Sequence, residues 1–407
     1  VGTDFTLVNN RLSGSLDYFM RDTENLIVGI PSTSGQPSPQ GIKYKNLDGN
    51  LINKGVDFGL NFKAVNTQDL TWDISANMAF LSNEVKNLGS TNSNYKPQAW
   101  ISFTEPVREA LQIPGIPKGH TTLIRGRSNT GKSTLLIEQA IQAQKDGILP
   151  VIIITEMKHS WEHWETMGFD LGKEVDDNGN FTYNGFFIYV DSERLKCIED
   201  VAEFIMDMLN EQKKGNLPYD LLFLWDSIGS IPSRMSLEKS TNSPMWNAGA
   251  LSQQFANFVN QQIVLSRKES QPYTNTALYV NKIWVEPALT PMSQPKMKNK
   301  NGDSMYYDCS LAITFGNITS DGTQKLNVTK DKKVIEWGLK TKIQVDKNHV
   351  TGNTGKGTII STAHGFIRDT PSSQDAYKKE HKKEWGLMLG SEDFTFTEEN
   401  VEESEID

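Results

Sequence analysis

The segment Gly126-Arg127-Ser128-Asn129-Thr130-Gly131-Lys132-Ser133-Thr134 constrains this chain more than any other. It has the spacing of a phosphate-binding P-loop, a glycine followed after four residues by Gly-Lys-Ser. The apolar run Thr121 to Ile124 precedes it and a helical pattern from Thr134 to Gln144 follows, so strand, loop and helix stand in the order that motif requires. Its glycines let the backbone wrap so that successive N–H groups face phosphate oxygens at a helix N-terminus. Lys132 then reaches the β and γ phosphates of a nucleotide, and Ser133 supplies an oxygen to Mg²⁺.

Two further strand ends carry carboxylates. Tyr219 to Ser227 is an apolar run that ends in Asp226, the pattern by which a buried strand delivers one acid next to Mg²⁺. Alone, Asp226 reads equally as a strand-terminal turn cap. Val151 to Ile154 leads through Thr155 to Glu156, where a carboxylate after the P-loop helix can orient or deprotonate a water beside the γ-phosphate; alone, Glu156 is an ordinary surface acid. Short apolar runs (Thr121 to Ile124, Val151 to Ile154, Leu221 to Trp225, Ala277 to Val280) alternate with helical stretches at Ser133 to Gln144, Ile198 to Lys213 and Ala248 to Leu265. That alternation predicts an α/β fold with a mainly parallel sheet covered by helices on both faces.

Residues 1 to about 89 follow a different pattern. Leu12, Gly14, Leu16, Tyr18 and Met20 alternate with Arg11, Ser13, Ser15, Asp17 and Phe19, and similar alternation runs through Val56 to Lys63 and Leu70 to Phe80. Period two predicts long antiparallel strands with one apolar and one polar face. Breaks at Asn9-Asn10 and Asn66-Thr67-Gln68-Asp69 are turn-rich. The strand lengths fit either a soluble β-meander or tilted membrane-spanning strands.

With 407 residues and 37% apolar side chains, two or three domains can bury cores. The formal charge of −9, from 41 basic and 50 acidic residues, leaves nucleic-acid contact to local basic patches. Cys197 and Cys309 stand far apart, which argues against a disulfide framework and fits a reducing compartment. No stretch approaches the roughly 20 apolar residues of a membrane helix. Val1 opens a polar segment instead of a signal peptide, which leaves a truncated start open. His120, His159, His364 and His381 show no metal-ligand spacing. From about Thr370 the chain is polar, basic over Lys378 to Lys383 and acidic from Ser391, and it reads as a disordered tail.

The segments Asn9 to Tyr18, Gly49 to Phe58 and Phe80 to Leu88 resemble the barrel of SusC/RagA-type TonB-dependent outer-membrane transporters. Such barrels need about twenty strands, and a partial barrel leaves edges that lipid cannot satisfy. Residues 1–92 are therefore expected to be a detached fragment, a fusion or a gene-assembly artefact, joined through 93–104 to an ATPase domain at 105–369 and a tail at 370–407.

From Ile101 to Ile367 the order P-loop, strand-end Glu, acid-ended strand and amide-ended strand resembles RecA-type recombinases, including the bacteriophage UvsX branch. Gly115 to Gly119, Thr155-Glu156 with Met167 to Asp170, Asp226 to Pro232, Tyr279 to Ile283, Asn301 to Tyr307 and Lys340 to Asn348 carry the resemblance. It implies a RecA-like P-loop core and ATP with Mg²⁺ held by Gly126 to Thr134 and Asp226. It also implies Glu156 as the catalytic carboxylate, with Asn281 and Lys282 sensing the γ-phosphate and relaying it to DNA loops. Lys347 would approach ATP across a subunit boundary. The loops Ser233 to Asn247 and Glu286 to Gly302 would bind DNA, and their cations Arg234, Lys239, Lys296, Lys298 and Lys300 can neutralise phosphates.

The implied protein is a cytoplasmic, phage- or mobile-element-derived recombinase that pairs single-stranded with homologous duplex DNA, as a filament or ring. Lys282 departs from the Gln or His usual at the relay, His349 stands in place of a second inter-subunit lysine, and Ser160 and His163 replace an Asp and a Tyr around adenine, with Trp161 and Trp164 available to stack. The transporter-like segment occupies the place of the family's docking helix and strand. Two rivals stand beside this reading, a RecA-core helicase or other DNA-translocating ATPase and an outer-membrane transporter fragment.

Overall fold

The computed structural model describes residues 1–23, 27–31, 42–46, 50–67, 69–86, 95–156, 159–175, 181–241, 243–286, 296–316, 322–330 and 333–389. The chain divides into two compact units, residues 1–95 with 268–270, and residues 96–267 with 271–407.

The first unit consists of strands β1 (Gly2–Leu7), β2 (Leu12–Thr23), β3 (Ile27–Pro31), β4 (Ile42–Asn46), β5 (Asn50–Asn66) and β6 (Thr71–Lys86). β1, β2, β5 and β6 form an antiparallel sheet in that order, and β3 pairs with β4 separately. Asn9 and Asn10 turn the first hairpin with positive φ, a conformation asparagine tolerates. Register turns the period-two pattern into a surface. Leu12, Phe62 and Ile74 align across three strands, as do Leu16, Phe58 and Met78, and Tyr18, Val56 and Phe80. The alternate positions align Ser15 with Gly59 and Asn77. One face is therefore apolar and the other polar, and the apolar side chains are exposed, Phe80 at 64% and Trp72 at 58%.

The second unit opens with the pair β7 (Trp100–Ser102) and β8 (Gly115–Pro117) around helix α1 (Glu105–Leu111). Then come β9 (Thr121–Gly126), α2 (Lys132–Lys145), β10 (Leu149–Ile154), α3 (Trp161–Thr166), the small pair β11 (Lys173–Val175) and β12 (Phe181–Tyr183), β13 (Ile188–Asp191), α4 (Ile198–Lys213) and β14 (Leu221–Asp226). A helical region follows, with α5 (Arg234–Glu238), α6 (Pro244–Leu251), a π-helical stretch Ser252–Val259 and α7 (Asn260–Leu265). The remaining elements are β15 (Thr276–Glu286), β16 (Lys296–Asn299), α8 (Ser304–Asp308), β17 (Leu311–Phe315), β18 (Thr323–Lys330), β19 (Lys333–Asn348), β20 (Lys356–Thr362), β21 (Gly365–Arg368), α9 (Pro371–Glu380) and α10 (Lys382–Leu389).

Eleven strands make one sheet along the path β13-β10-β14-β15-β9-β17-β19-β20-β21, with β16 on β15 and β18 on β19. Neighbours from β13 to β17 are parallel, and every pairing beyond is antiparallel. The sheet is thus mixed where a mainly parallel one is expected. Its late strands connect as hairpins, which need no crossover helix, so strand-helix alternation in the sequence does not reveal them.

Alternation within β14 divides the core. Leu222 and Leu224 join Ile152, Ile154, Val280 and the α2 residues Leu135, Leu136 and Ala140 on one face. Leu221, Phe223 and Trp225 join Ile198, Val201 and Ile205 of α4 and Phe255, Val259 and Ile263 on the other. The spacing along α4 is that of a helix with one buried stripe. Asp200 caps its start, accepting from the Cys197 N–H at 3.1 Å. Cys197 and Cys309 are free thiols in the core.

Helices α9 and α10 correct the expectation of a disordered tail from residue 370. Thr370 caps α9 by accepting from the Ser373 N–H at 3.3 Å, and Tyr377 and Trp385 bury against Val328, Trp337 and Ile360. Two aromatic anchors in a polar stretch suffice to order it. The acidic run from Ser391 lies outside the described residues.

His120 is held neutral in this unit. Arg267 donates to its Nε2 at 2.6 Å, its Nδ1 lies 2.9 Å from Ser310 Oγ, and burial, helped by the Arg267 charge, pushes it down to about 4. The unfolded chain takes a proton near pH 6.5 and the folded chain resists it. Stability is therefore expected to fall from pH 6.5 toward pH 4, by up to about 3 kcal/mol from this residue. Denaturant midpoints at pH 7 and 4.5 check it. His120→Gln should flatten that part of the profile, and an unchanged slope would remove His120 as its source.

Candidate functional site

Parallel register places the chemistry at one edge of the sheet. Ile154 pairs with Asp226, Asp226 with Val280, Val280 with Ile124, and Lys282 with Gly126. β10, β14 and β9 therefore end within two residues of one level, with β15 passing between them and running on to Glu286, and the carboxyl ends of an α/β sheet open into a crevice there. A cavity of about 370 Å³ lies there, lined by Ser128 to Thr134, Glu156, Asp226 and Lys282, with His159, Ser160, His163 and Trp164 on one side and Leu339 and Ser361 on another.

The loop itself is held by its own groups. Asn129 and Gly131 take positive φ, +56° and +91°, and a β-carbon on Gly131 would also press on the Phe366 ring at 3.3 Å. Lys132 Nζ donates to the Arg127 carbonyl, and Thr130 Oγ1 lies 3.4 Å away. Burial pushes Lys132 down to about 8 against the pull of Asp226 and Glu156. Thr134 Oγ1 lies 3.0 Å from Ser361 Oγ. Gly126 sits tightly beneath the loop, where a β-carbon would lie 2.6 Å from the Phe315 carbonyl.

The carboxylates fall into two pairs. Ser133 Oγ donates to Asp226 Oδ2 at 2.6 Å; burial raises Asp226 above the ordinary carboxylate range, against that hydrogen bond. Glu156 Oε1 accepts from Ser227 Oγ at 2.5 Å and from Lys282 Nζ at 2.8 Å. Burial works to raise Glu156, but the Lys282 and Ser227 contacts together with the Lys132 charge outweigh it and hold it below the ordinary value. Thr155 fixes the turn beneath, donating to the Ser227 carbonyl at 3.0 Å and accepting from Trp225 Nε1 at 2.9 Å. The donor sets suit their groups: a hydroxyl and a carboxylate oxygen fit a hard cation, and a loop of N–H groups beside two ammonium groups fits polyphosphate.

Asn281 does not join Lys282 in the cavity. Neighbouring residues of a strand point to opposite faces, and Asn281 is fully buried behind the sheet, donating to the Lys300 carbonyl at 3.0 Å. Its Oδ1 has no partner among the described residues. Lys347 is also elsewhere, bound to the carbonyls of Tyr306 and Tyr307 at 3.0 and 2.7 Å. The side of the cavity bearing Trp164 belongs to an aromatic cluster. His159 meets Trp161 edge-on at 4.3 Å and stacks on Tyr189 at 5.6 Å. Burial pushes His159 down to about 4, partly opposed by Asp191. His159, Leu339 and Ser361 were not legible as site residues, since none lies in a motif.

The expected DNA-loop cations are mostly matched already. Arg234 pairs with Asp200 and Glu203, both at 2.9 Å, within α5 where a loop is expected. Lys239 lies over the Trp246 ring at 4.6 Å, and Lys298 pairs with Glu286 at 2.9 Å. Lys300 is exposed and lines a second cavity of about 400 Å³ with Gly229, Ser230 and Ser240. Lys296 begins β16. Residues 287–295 of the second expected loop lie outside the described residues.

No family model matches the chain. It is 33% identical over 99 residues to the TonB-dependent receptor SusC of Bacteroides thetaiotaomicron, covering 24% of this chain and 10% of that protein. It is 34% identical over 90 residues to the TonB-dependent receptor P3 of Formosa agariphila, covering 22% and 8%. The chain thus spans about a tenth of the length of these curated relatives. This similarity supports the SusC-type likeness of the N-terminal strands. Among the described residues no helix is long and apolar enough to cross a membrane.

Proposed function

We propose that the second unit is a Mg²⁺-dependent ATPase of RecA recombinase type that binds single-stranded DNA and pairs it with homologous duplex. The observation that carries this reading is the convergence of Lys132, the Ser133–Asp226 pair and the Glu156–Lys282 pair in one cavity. Ser133 and Asp226 would hold Mg²⁺, which supplies charge neutralisation at the β and γ phosphates. The loop N–H groups and Lys132 bind the phosphates. Glu156, ionised at neutral pH, orients a water for in-line attack at the γ-phosphorus and takes up its proton as the bond to the leaving ADP oxygen breaks. Lys282, released from Glu156, adds positive charge at the transferring phosphoryl group. Trp164 and His159 offer an aromatic wall for a base.

The DNA part rests on motif order and on Lys300, an exposed cation in the turn after β16 whose carbonyl accepts from Asn281. Turnover by the full chain is expected to require Mg²⁺ and to rise about tenfold or more with single-stranded DNA, with a salt-sensitive stimulation. Long homologous DNA should give joint molecules. Unwinding of a forked duplex without pairing would favour the helicase reading, and no Mg²⁺-dependent turnover would sink both.

A second reading applies to the first unit. Its aligned apolar face and polar opposite face match a lipid-facing and a lumen-facing barrel wall, in keeping with its TonB-dependent receptor similarity. We propose that it is a barrel-wall segment of that kind, unable to form a closed barrel with the strands described.

A further inference from the structure

His364 occupies the turn between β20 and β21, whereas His381 and Glu384 flank the junction of α9 and α10. The fold brings together residues whose sequence spacing gives no metal-ligand pattern. His364 Nε2 lies 3.7 Å from Glu384 Oε2, and His381 Nδ1 lies 3.0 Å from Glu384 Oε1. The two imidazoles stack with centroids 3.8 Å apart, and one ligand atom from each of the three residues falls within 4.8 Å of the others. His364 Nδ1 is 2.9 Å from the Tyr377 hydroxyl. That contact leaves Nε2 facing Glu384, and an oriented imidazole with its far nitrogen occupied is the usual state of a metal ligand.

We propose that His364, His381 and Glu384 bind a zinc-class divalent transition metal ion that pins α9 and α10 to the β20–β21 turn. Two imidazoles and a carboxylate form a donor set for Zn²⁺, with a fourth position left for water. Imidazole nitrogen suits this class, whereas Mg²⁺ prefers oxygen. Tetrahedral bonds of about 2.1 Å space ligand atoms about 3.4 Å apart, so a separation at the 4.8 Å bound of the cluster would close by about 1.4 Å. The ligand-bearing elements rest on the Trp337–Tyr377–Trp385 cluster, which limits other motion. The same hairpin carries Phe366, whose N–H donates to Glu138 of α2 at 2.8 Å, so the ion would brace a turn that packs on the P-loop helix. This site stands independently of the nucleotide reading.

The test uses the full chain, stripped with chelator and titrated with Zn²⁺ in a calorimeter, with Mg²⁺ as the contrasting ion. Saturable uptake of one Zn²⁺ per chain is expected, with none of Mg²⁺ at this site. His364→Ala and Glu384→Gln should each weaken Zn²⁺ binding at least tenfold, and Tyr377→Phe, which keeps the ring packing, about tenfold. Zn²⁺ should also slow tryptic cleavage at Lys378, Lys379, Lys382 and Lys383 in the parent chain and not in Glu384→Gln. Absence of saturable uptake overturns the site, as does unchanged affinity in Glu384→Gln, whose side chain is half exposed. Binding without protection from trypsin overturns the pinning.

Discussion

Lys132→Ala is expected to lower ATP turnover by about 10²-fold or more and to weaken nucleotide binding, because it removes a preorganised charge at the phosphates. The ammonium is buried on its own loop, and burial has already brought it down to about 8. Bound phosphate favours the charged form, so nucleotide affinity of the parent chain should fall as pH rises above 8, where the free lysine must first take up a proton. In Lys132→Ala that pH dependence should vanish. Titrating a fluorescent ATP analogue from pH 7 to 9, alongside steady-state phosphate release, measures both effects. A variant that keeps its turnover removes Lys132 from the site.

Glu156→Gln separates chemistry from binding. Glutamine preserves the shape and can accept from Ser227 and Lys282, but it cannot take a proton from water. Turnover should drop by about 10²- to 10⁴-fold with nucleotide affinity changed by less than about threefold. Since Lys282 and Ser227 hold Glu156 below the ordinary carboxylate range, the parent chain should keep its base ionised to lower pH than a free glutamate would. The acid limb of its rate profile should shift accordingly, and single-turnover rates with pre-bound ATP distinguish a lost base from lost binding. If Glu156→Gln turns over normally, the water-activating group lies elsewhere.

What could be read from the residues alone depended on how local the cause was. The phosphate loop is encoded by contiguous residues whose spacing admits few geometries, so Gly126 to Thr134 stood out with strand and helix attached. Asp226 and Glu156 were legible as strand-end acids, though only the register across β10, β14, β15 and β9 sets them beside the loop. Asn281 and Lys282 read as one relay, yet strand alternation sends them to opposite faces. Arg234 looked like a phosphate ligand because its neutralisers, Asp200 and Glu203, sit on a helix far earlier in the chain. The antiparallel half of the sheet and the His364–His381–Glu384 cluster depend on long-range hairpin packing, which no local pattern reports.

The apolar row of the first unit extends onto β6, a 16-residue strand that, among the described residues, forms the edge of the sheet, and an edge strand presents backbone groups for pairing. On the barrel-wall reading the chain is, in colloidal terms, an amphiphile whose first unit suits an oily interface. A buffer without detergent would then be a poor solvent for that unit, and partition of the full chain between aqueous and detergent phases measures it.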